Sequence, residues 1–245
     1  MRLTRAYLEM PLAAGKRVTL PGDVATHLVR VLRLEAGDPC TFFNGDGHDY
    51  GARIVSTSKR EVLAEIVEAR EVDNESPLRI TLLQGIARGE KMDLIVQKAT
   101  ELGVHAIVPV ISERSEVKLD AQRAQKRHAH WRGVVIAACE QSGRTRIPDL
   151  TIPQSLQSAA SAVASDMLKL TLDPGGQNAI ANLSIDQTRG LVIAIGPEGG
   201  WSPRDRQLLQ SAGFIGLRLG PRILRTETAG LAAISALQAR LGDLV

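Results

Sequence analysis

The feature that most constrains the fold of this chain is a change in hydrophobic pattern near residue 75. Before it, apolar residues occur in short β-like segments at 5–8, 16–20, 38–43, 50–56 and 61–68. One helical segment begins at Gly22-Asp23 and ends before Gly37, and Val24, His27, Leu28 and Val31 are predicted to share its apolar face. This pattern predicts a small mixed β-barrel of about 70 residues.

After the linker-like segment Asp73–Pro77, the chain alternates strands with helices. Strands are predicted at 79–84, 104–110, 167–172, 191–195 and 214–219, and helices at 91–102, 120–142, 203–212 and 226–241. This βαβ alternation predicts an α/β domain with a mostly parallel sheet. We therefore predict two domains, at residues 1–73 and 77–245.

Two of the predicted helices carry signals at their ends. Ser202 stands directly before Pro203, and Asp205 follows in the first turn, which is the pattern of an N-cap, a proline at the first helical position and a favourable carboxylate. Gly103 follows the helix at 91–102 as its C′ residue. These signals fix where two helices of the second domain begin or end.

Two segments rich in glycine and proline follow predicted buried strands. They are Ile195-Gly-Pro-Glu-Gly-Gly-Trp-Ser202 and Leu219-Gly-Pro-Arg-Ile-Leu-Arg-Thr-Glu-Thr-Ala229. Sheets of this class bind ligands outside the carboxyl ends of their strands, and glycine lets backbone approach a ligand closely. The segments are predicted to form one site, although each could be only a tight turn, with Thr226 or Thr228 as a helix N-cap.

Several other classes of protein are excluded or disfavoured by the sequence. The phosphate loop G-x-x-x-x-G-K-[ST] does not occur, and Gly45–Gly51 has the wrong spacing for G-x-G-x-x-G. Cys40 and Cys139 have no Cys or His neighbours at metal-binding spacing, so no metal site is expected. The sequence has neither an apolar run of about 18 residues nor a signal peptide, so we expect a cytoplasmic protein without a membrane partner.

The positive charge of the chain is concentrated in its middle third. Residues 76–150 carry twelve basic and eight acidic groups, against a net charge of +3 for the whole chain. The densest part is Arg123–Arg132, where Arg123, Lys126, Arg127 and Arg132 stand with two histidines and no acid. This segment predicts a polyanionic partner such as RNA, although a solvated helix face would look the same.

Several sequence motifs closely resemble those of one family, the small-subunit ribosomal RNA uridine-N3 methyltransferases, known as the RsmE family of the SPOUT superfamily. The two glycine segments carry the resemblance. Further motifs are Lys91-Met-Asp-Leu-Ile-Val-Gln-Lys-Ala-Thr-Glu-Leu-Gly-Val104, Glu113-Arg-Ser115, Glu140-Gln-Ser-Gly-Arg144 and His27-Leu-Val-Arg-Val-Leu-Arg33. The resemblance extends over nearly the whole chain.

This resemblance implies a fold that periodicity does not show. Residues 1–73 would be a PUA-like RNA-binding β-barrel, and residues 77–245 a SPOUT methyltransferase domain with a deep trefoil knot, through which two chains form a homodimer. S-adenosyl-L-methionine would lie in the knot, held largely by backbone groups of three strand-end loops. In this chain those loops place Leu172, Gly196, Glu198, Gly199, Gly200, Leu219, Gly220, Leu224, Arg225 and Thr226 at the cofactor.

The resemblance also suggests residues for catalysis and RNA binding. Methyl transfer to uracil N3 needs a group that accepts its proton, and Glu198 and Glu227 are the candidates, with Arg225 stabilising the uracil anion or holding a phosphate. Glu227 could instead complement the dipole of the last helix. RNA contacts are predicted for Lys91, Arg114 and Arg144, for Arg30 and Arg33 in the first domain, and for the four cations of the basic segment, Arg123, Lys126, Arg127 and Arg132.

The function implied is S-adenosylmethionine-dependent methylation of N3 of one uridine in small-subunit ribosomal RNA, on the assembled subunit. Two alternatives remain open at this point. One is a SPOUT methyltransferase that acts at a different RNA position. The other is a ribosome-assembly or RNA-binding factor without a reaction, in which the glycine segments only turn the chain.

Overall fold

The chain divides into two units, and a segment from the middle of the chain belongs to the first. The structure is a computed structural model that describes residues 4–58, 61–116, 120–183 and 189–244. The first unit contains the residues up to Glu75 together with Cys139–Ile147, and the second contains Ser76–Ala138 and Pro148 onward.

The first unit is built on a five-stranded mixed sheet. Its strands are β1 (Arg5–Tyr7), β2 (Arg17–Thr19), β3 (Pro39–Phe43), β4 (His48–Thr57) and β5 (Val62–Glu71). Their order is β1-β3-β4-β5-β2, with β1 parallel to β3 and the other pairs antiparallel. Its core includes Leu8, Phe42, Ile54 and Ile66, and the buried positions in the middle of β4 and at the start of β5 alternate with more exposed ones. This confirms the predicted small mixed β fold.

The helical segment of the first unit differs from the prediction. Helix α1 covers only Gly22–Thr26, and a π-helical turn follows at His27–Val31. The backbone N–H of Leu32 donates to the oxygen of His27 at 3.0 Å, an i→i+5 bond that widens the turn. Leu28 is buried as predicted, but His27 is exposed and Val31 is 63% exposed, so the prediction of a shared apolar face was wrong for these two. The wider turn rotates Val29 toward the core instead.

The second unit alternates strands and helices as predicted. Its elements are β6 (Ile80–Gly85), α2 (Glu90–Glu101), β7 (Ala106–Ile111), α3 (Ala121–Ser142), β8 (Asp149–Leu150), β9 (Gln154–Ser155), α4 (Leu156–Ala162), β10 (Leu168–Leu172), β11 (Asn178–Ala179), β12 (Leu191–Ile195), α5 (Pro203–Ser211), β13 (Ile215–Arg218) and α6 (Thr226–Leu241). The last four residues of α3 fall in the first unit. The sequence did not indicate α4, β8, β9 or β11, which are all short.

The strands of the second unit form one parallel sheet. The order is β11-β13-β10-β12-β6-β7-β8, with β9 also beside β7, and every pairing between its described strands is parallel. Strand β12 is buried at all of its positions, as expected for a central strand covered on both faces. Because β13, β10 and β12 are neighbours, their carboxyl ends lie side by side at one edge of the sheet.

Candidate functional site

A cavity of about 400 Å³ lies at the carboxyl ends of β10, β12 and β13. This volume lies in the range of small-molecule sites. The loops that follow these three strands supply most of its lining. Nine of the ten residues predicted to hold the cofactor line it: Leu172, Gly196, Glu198, Gly200, Leu219, Gly220, Leu224, Arg225 and Thr226. The tenth, Gly199, is not among the lining residues. Its carbonyl oxygen accepts a hydrogen bond from Arg114 Nη1 at 2.8 Å, which fixes this part of the loop.

Two glycines permit the close backbone approaches of this cavity. A Cβ on Gly85, at the end of β6, would lie 2.5 Å from the nitrogen of Pro197, so only glycine lets β6 and the loop after β12 touch. Gly220 has φ +79°, in the left-handed region that favours glycine. Gly85 was not predicted as a site residue, since its role depends on a neighbour in the sheet 112 positions away in the chain.

Thr226 ties the start of α6 to the sheet. Its side chain is buried, and its Oγ1 donates to the carbonyl oxygen of Gly196 at 2.6 Å and accepts from Gln84 Nε2 at 3.0 Å. The N-cap of α6 is Arg225, whose side chain makes no capping hydrogen bond. Neither Thr226 nor Thr228 is therefore the N-cap. Thr226 instead joins the two glycine segments, which supports one site rather than two turns.

The loop after β12 is held at its far end by a capping box. Ser202 Oγ accepts from the backbone N–H of Asp205 at 3.0 Å, and Asp205 Oδ2 accepts from the N–H of Ser202 at 3.1 Å. This confirms the predicted start of α5. Within the loop, Trp201 is buried, and its Nε1 donates to Thr171 Oγ1 at 2.9 Å. The loop after β12 is thus held by the hydrogen bonds of Ser202 and of Trp201.

Asp173 and Arg206 complete one wall of the cavity and were not predicted from the sequence. Arg206 Nη1 lies 3.3 Å from Asp173 Oδ2, and both side chains line the cavity. The signal for Asp173 was present, since it directly follows the predicted strand 167–172. Arg206 had no such signal, because it reaches the site only through the packing of α5.

Three charged side chains that line the cavity lie close to one another. Lys91 Nζ, at the start of α2, lies 3.4 Å from Glu198 Oε1 and 3.8 Å from Glu227 Oε2. Glu198 Oε1 also accepts from the backbone N–H of Arg88 at 3.1 Å. Lys91 was predicted only as an RNA contact, and the structure places it between the two carboxylates proposed for catalysis.

The two carboxylates differ in their surroundings. Burial acts to raise the pKa of Glu198, but hydrogen bonds from the backbone N–H groups of Arg88 and of Glu198 itself, together with the hydrogen bond and charge of Lys91, outweigh it and hold the pKa below its usual value. Glu198 is therefore ionised and already engaged. Glu227 Oε2 is buried and has no hydrogen-bond partner among the described residues. It is the acceptor that a ligand or substrate can use.

Arg30 and Arg33, predicted to contact RNA, are both exposed in the first unit. Arg33 follows the π-helical turn with φ 59°, a left-handed conformation uncommon for a residue with a side chain. The exposed apolar side chains of Val31 and Leu32 lie next to them in the chain. The unusual turn therefore presents two cations and two apolar side chains on one exposed segment.

The basic segment forms the first half of α3. Arg123, Lys126 and Arg127 are exposed, and at about 100° per residue they project within one arc of the helix. Arg132 is half-buried and lies on the other side of the helix. The structure thus brings together three of the four predicted cations.

Arg144 does not fit its predicted role in RNA binding. Its residue is 5% exposed, and its guanidinium pairs with the carboxylate of Glu75, with Nε 3.0 Å from Oε1 and Nη2 against Oε2. A buried bidentate pair of this kind leaves no face for a phosphate. We therefore remove Arg144 from the predicted RNA contacts and assign it to the packing of the first unit.

No group of three or more histidine, cysteine, aspartate or glutamate side chains is placed to hold a metal ion in the described part of the chain. Among the helices of the described residues, none combines the length and apolar character needed to cross a membrane.

The chain is similar to known RNA methyltransferases over its whole length. Residues 74–238 match the family model of the RNA methyltransferase domain, and residues 20–67 match that of the RNA methyltransferase PUA domain. Ribosomal RNA small subunit methyltransferase E of Buchnera aphidicola (subsp. Schizaphis graminum) is 32% identical over 99% of this chain and 98% of the relative. The protein of the same name from Bacillus subtilis is 33% identical over 89% of this chain and 88% of the relative.

A solved structure is similar at the level of the fold. The ribosomal RNA small subunit methyltransferase E of Neisseria gonorrhoeae, bound to S-adenosyl methionine, superposes with a TM-score of 0.93 at 41% identity, with both chains covered completely. Together these matches confirm the resemblance indicated by the sequence motifs.

Proposed function

The chain belongs to the RNA methyltransferase family that includes ribosomal RNA small subunit methyltransferase E, and from that premise we propose that it uses S-adenosyl-L-methionine to methylate N3 of one uridine in small-subunit ribosomal RNA, on the assembled subunit. The observation that carries the proposal is that both glycine segments line one cavity, together with the loop after β10. The carboxylates of Glu198 and Glu227 and the ammonium of Lys91 meet at its side.

The cavity suits S-adenosyl-L-methionine chemically. The cofactor carries an apolar-faced adenine, hydroxyl groups that need hydrogen-bond partners, and a sulfonium and an ammonium with positive charge. Leu172, Leu219 and Leu224 give the cavity apolar walls, and three carboxylates, Asp173, Glu198 and Glu227, lie around it. The residues present therefore fit this cofactor.

When bound, the cofactor supplies a methyl group that is transferred as the acceptor nitrogen bonds to it, while the sulfur keeps the electron pair of the broken bond. The tasks left to the protein are to hold uracil in line and to take the proton of N3. Positioning can contribute roughly 7–11 kcal/mol to the barrier reduction. A correctly placed base adds about 10²–10⁴-fold in rate.

Of the two candidate bases, the geometry favours Glu227. Glu198 Oε1 accepts from the N–H of Arg88 and from Lys91, which lowers its pKa and weakens it as a base. Glu227 Oε2 has no such hydrogen bond among the described residues and can receive the N3 proton. Lys91 then stabilises the negative charge that develops on the uracil, while the exposed Arg225 holds a phosphate or the uracil anion at the cavity mouth.

RNA binding is proposed for separate basic surfaces on the two units. In the first, which we take as the PUA-like domain of residues 1–73, Arg30 and Arg33 are exposed. In the second, residues 77–245, the exposed cations are Arg123, Lys126 and Arg127, and Arg114 lies beside the cavity loop. Such contacts to phosphates supply affinity without reading sequence. The choice of uridine would then depend on groups nearer the cavity.

A trefoil knot and a homodimer are part of the proposal. After β13, which pairs with β10, the chain reaches α6, which packs on β12 and β6. Residues 219–225 therefore cross the strand ends of β10 and β12, which is the course that a knotted chain needs. The homodimer is proposed from the family resemblance.

The test is to incubate the protein and labelled S-adenosylmethionine with unmodified small ribosomal subunits and to map the labelled nucleotide. The expected result is label on N3 of one uridine. Label at a ribose or another base would identify a methyltransferase with a different target. If no label is transferred while RNA is bound, the protein is a binding factor and the proposal is wrong.

A further inference from the structure

A second cavity adjoins the first and shares two side chains with it. It has a volume of about 560 Å³ and lies in the groove between α2 and α3. Lys91 and Glu227 line both cavities, so ligands in the two cavities meet across these side chains. We propose that this α2–α3 groove binds the target uracil base, which reaches the cofactor cavity past Lys91 and Glu227; the proposal rests on the methyltransferase function above.

The polar groups at the shared wall match the edge of uracil. N3–H is a donor between two carbonyl acceptors, so its recognition needs one acceptor flanked by donors. Glu227 Oε2 is a buried acceptor without a hydrogen-bond partner among the described residues, and Lys91 Nζ lies 3.8 Å from it as a donor. Gln97, which also lines the groove, offers both a donor and an acceptor.

The rest of the groove suits a flat, uncharged group rather than a phosphate. Leu94 is 42% exposed there, and Val134 and Ala137 face it from α3. The groove also contains the carboxylates of Glu90 and Asp93, which would repel a phosphate. Asp93 is itself engaged, with its oxygens 2.8 Å from His130 Nε2 and 3.1 Å from Trp131 Nε1. A base is therefore favoured over the nucleic-acid backbone.

One stripe of α3 leads from a basic surface into the groove. At about 100° per residue, one arc of about 100° around the helix axis contains six residues of α3: Arg123, Lys126, Arg127, His130, Val134 and Ala137. The cations occupy the first half of the stripe, and the groove-lining residues the second half. RNA phosphates can bind the first half of the stripe while one base, flipped out of its stack, enters the groove beside the second half. Other enzymes that modify a base also flip it out of its stack.

The groove can be blocked without touching the charged wall. Ala137→Trp on the exposed side of α3 fills it, whereas Ala121→Trp places the same side chain on the same helix about 160° away. For Ala137→Trp we expect an unchanged Kd for S-adenosylmethionine and a loss of methyl transfer to small subunits of about 100-fold, since misplacing a substrate by about 1 Å can cost this much. Ala121→Trp should keep both properties.

A second measurement uses the unsubstituted protein and so does not depend on the folding of a variant. Unmodified small subunits are assembled with RNA containing 4-thiouridine, bound to the protein, irradiated, and the crosslinked peptides are identified by mass spectrometry. The expected crosslink joins the target nucleotide to residues 90–97 of α2 or 134–137 of α3.

The outcomes separate this inference from the function on which it rests. If the unsubstituted protein fails to methylate small subunits, the proposed function fails. If it does methylate them but Ala137→Trp is equally active, or the target nucleotide crosslinks elsewhere, only the groove assignment fails. The groove would be a subunit interface, and the inference wrong, if light scattering shows that Ala137→Trp changes the oligomeric state while losing activity.

Discussion

At the scale of single residues, the site depends on side chains whose partners lie far away in the chain. The strand-end pattern marks where backbone is exposed at a sheet edge, and it located the two glycine segments, whereas the family resemblance located nine of the cavity-lining residues. It did not locate Gly85, Asp173 or Arg206 as site residues, and it assigned Arg144 to RNA. These roles are set by neighbours such as Pro197 and Glu75 that only the tertiary fold supplies.

Thr226→Val tests the hydrogen bonds through which Thr226 joins the two glycine segments. The change keeps the shape of the side chain but removes the hydroxyl that bonds Gly196 O and Gln84 Nε2. Because Gly196 O would lose this hydrogen bond and the buried Gln84 Nε2 would keep only its bond to Gly85 O, we expect the free energy of unfolding to fall by about 1–3 kcal/mol, as urea denaturation would measure. The Kd for S-adenosylmethionine should rise as well. Thr228→Val, at an exposed position of the same helical turn, is the matched control. If the two changes had equal effects, the hydrogen bonds of Thr226 would not stabilise the site.

Glu198→Gln tests the ionised state of Glu198 through pH. The pKa of Glu198 in the folded protein lies below its ordinary value near 4.5, so its contribution to stability is complete above that value and is lost as pH falls through the folded pKa. The difference in unfolding free energy between the unsubstituted protein and Glu198→Gln should therefore be largest near neutral pH and shrink below about pH 4.5. Urea denaturation at several pH values measures it. A difference that does not change with pH would contradict the assignment.

At the scale of elements, periodicity succeeded where structure is regular and long. Strands β6, β7, β10, β12 and β13 and helices α2, α3, α5 and α6 lie within two residues of their predicted bounds. The π-helical turn at His27–Val31 was missed because its pattern of apolar residues resembles that of an α-helix, and only the i→i+5 bond distinguishes it. Strands of two residues, such as β8, are too short to have a period.

Ser202→Ala tests the capping box at the start of α5. Ser202 is buried, and its hydroxyl satisfies the N–H of Asp205. We expect a loss of about 1 kcal/mol in the free energy of unfolding. We also expect weaker binding of S-adenosylmethionine, because the loop that ends at Ser202 lines the cavity. Ser211→Ala, exposed at the other end of the same helix, serves as the control. Loss of stability with unchanged cofactor binding would show that the cap does not position the loop.

At the scale of the whole molecule, the sequence indicated two fold classes but not the arrangement of strands. Alternating strands and helices imply a parallel sheet, yet many strand orders satisfy that pattern. The observed order places β13 and β12 on either side of β10, so that the loops after all three meet. The meeting of the two glycine segments is therefore a consequence of strand order, which explains why a paired site could be proposed from their positions but its third loop was only implied by family resemblance.

The salt dependence of RNA binding tests the basic surface of α3. Removing one cation that pairs with a phosphate should reduce the slope of log K against log salt concentration by about 0.7–0.9. Lys126→Ala combined with Arg127→Ala removes two exposed cations from the proposed surface. We therefore expect weaker binding to small-subunit RNA and a slope reduced by about 1.5, measured by filter binding from low to high salt. Arg204→Ala combined with Arg240→Ala removes the same charge from exposed positions on α5 and α6 and should change the slope much less. Equal slopes for the two double variants would mean that RNA binding depends only on the net charge of the protein. The α3 surface would then be a solvated helix face.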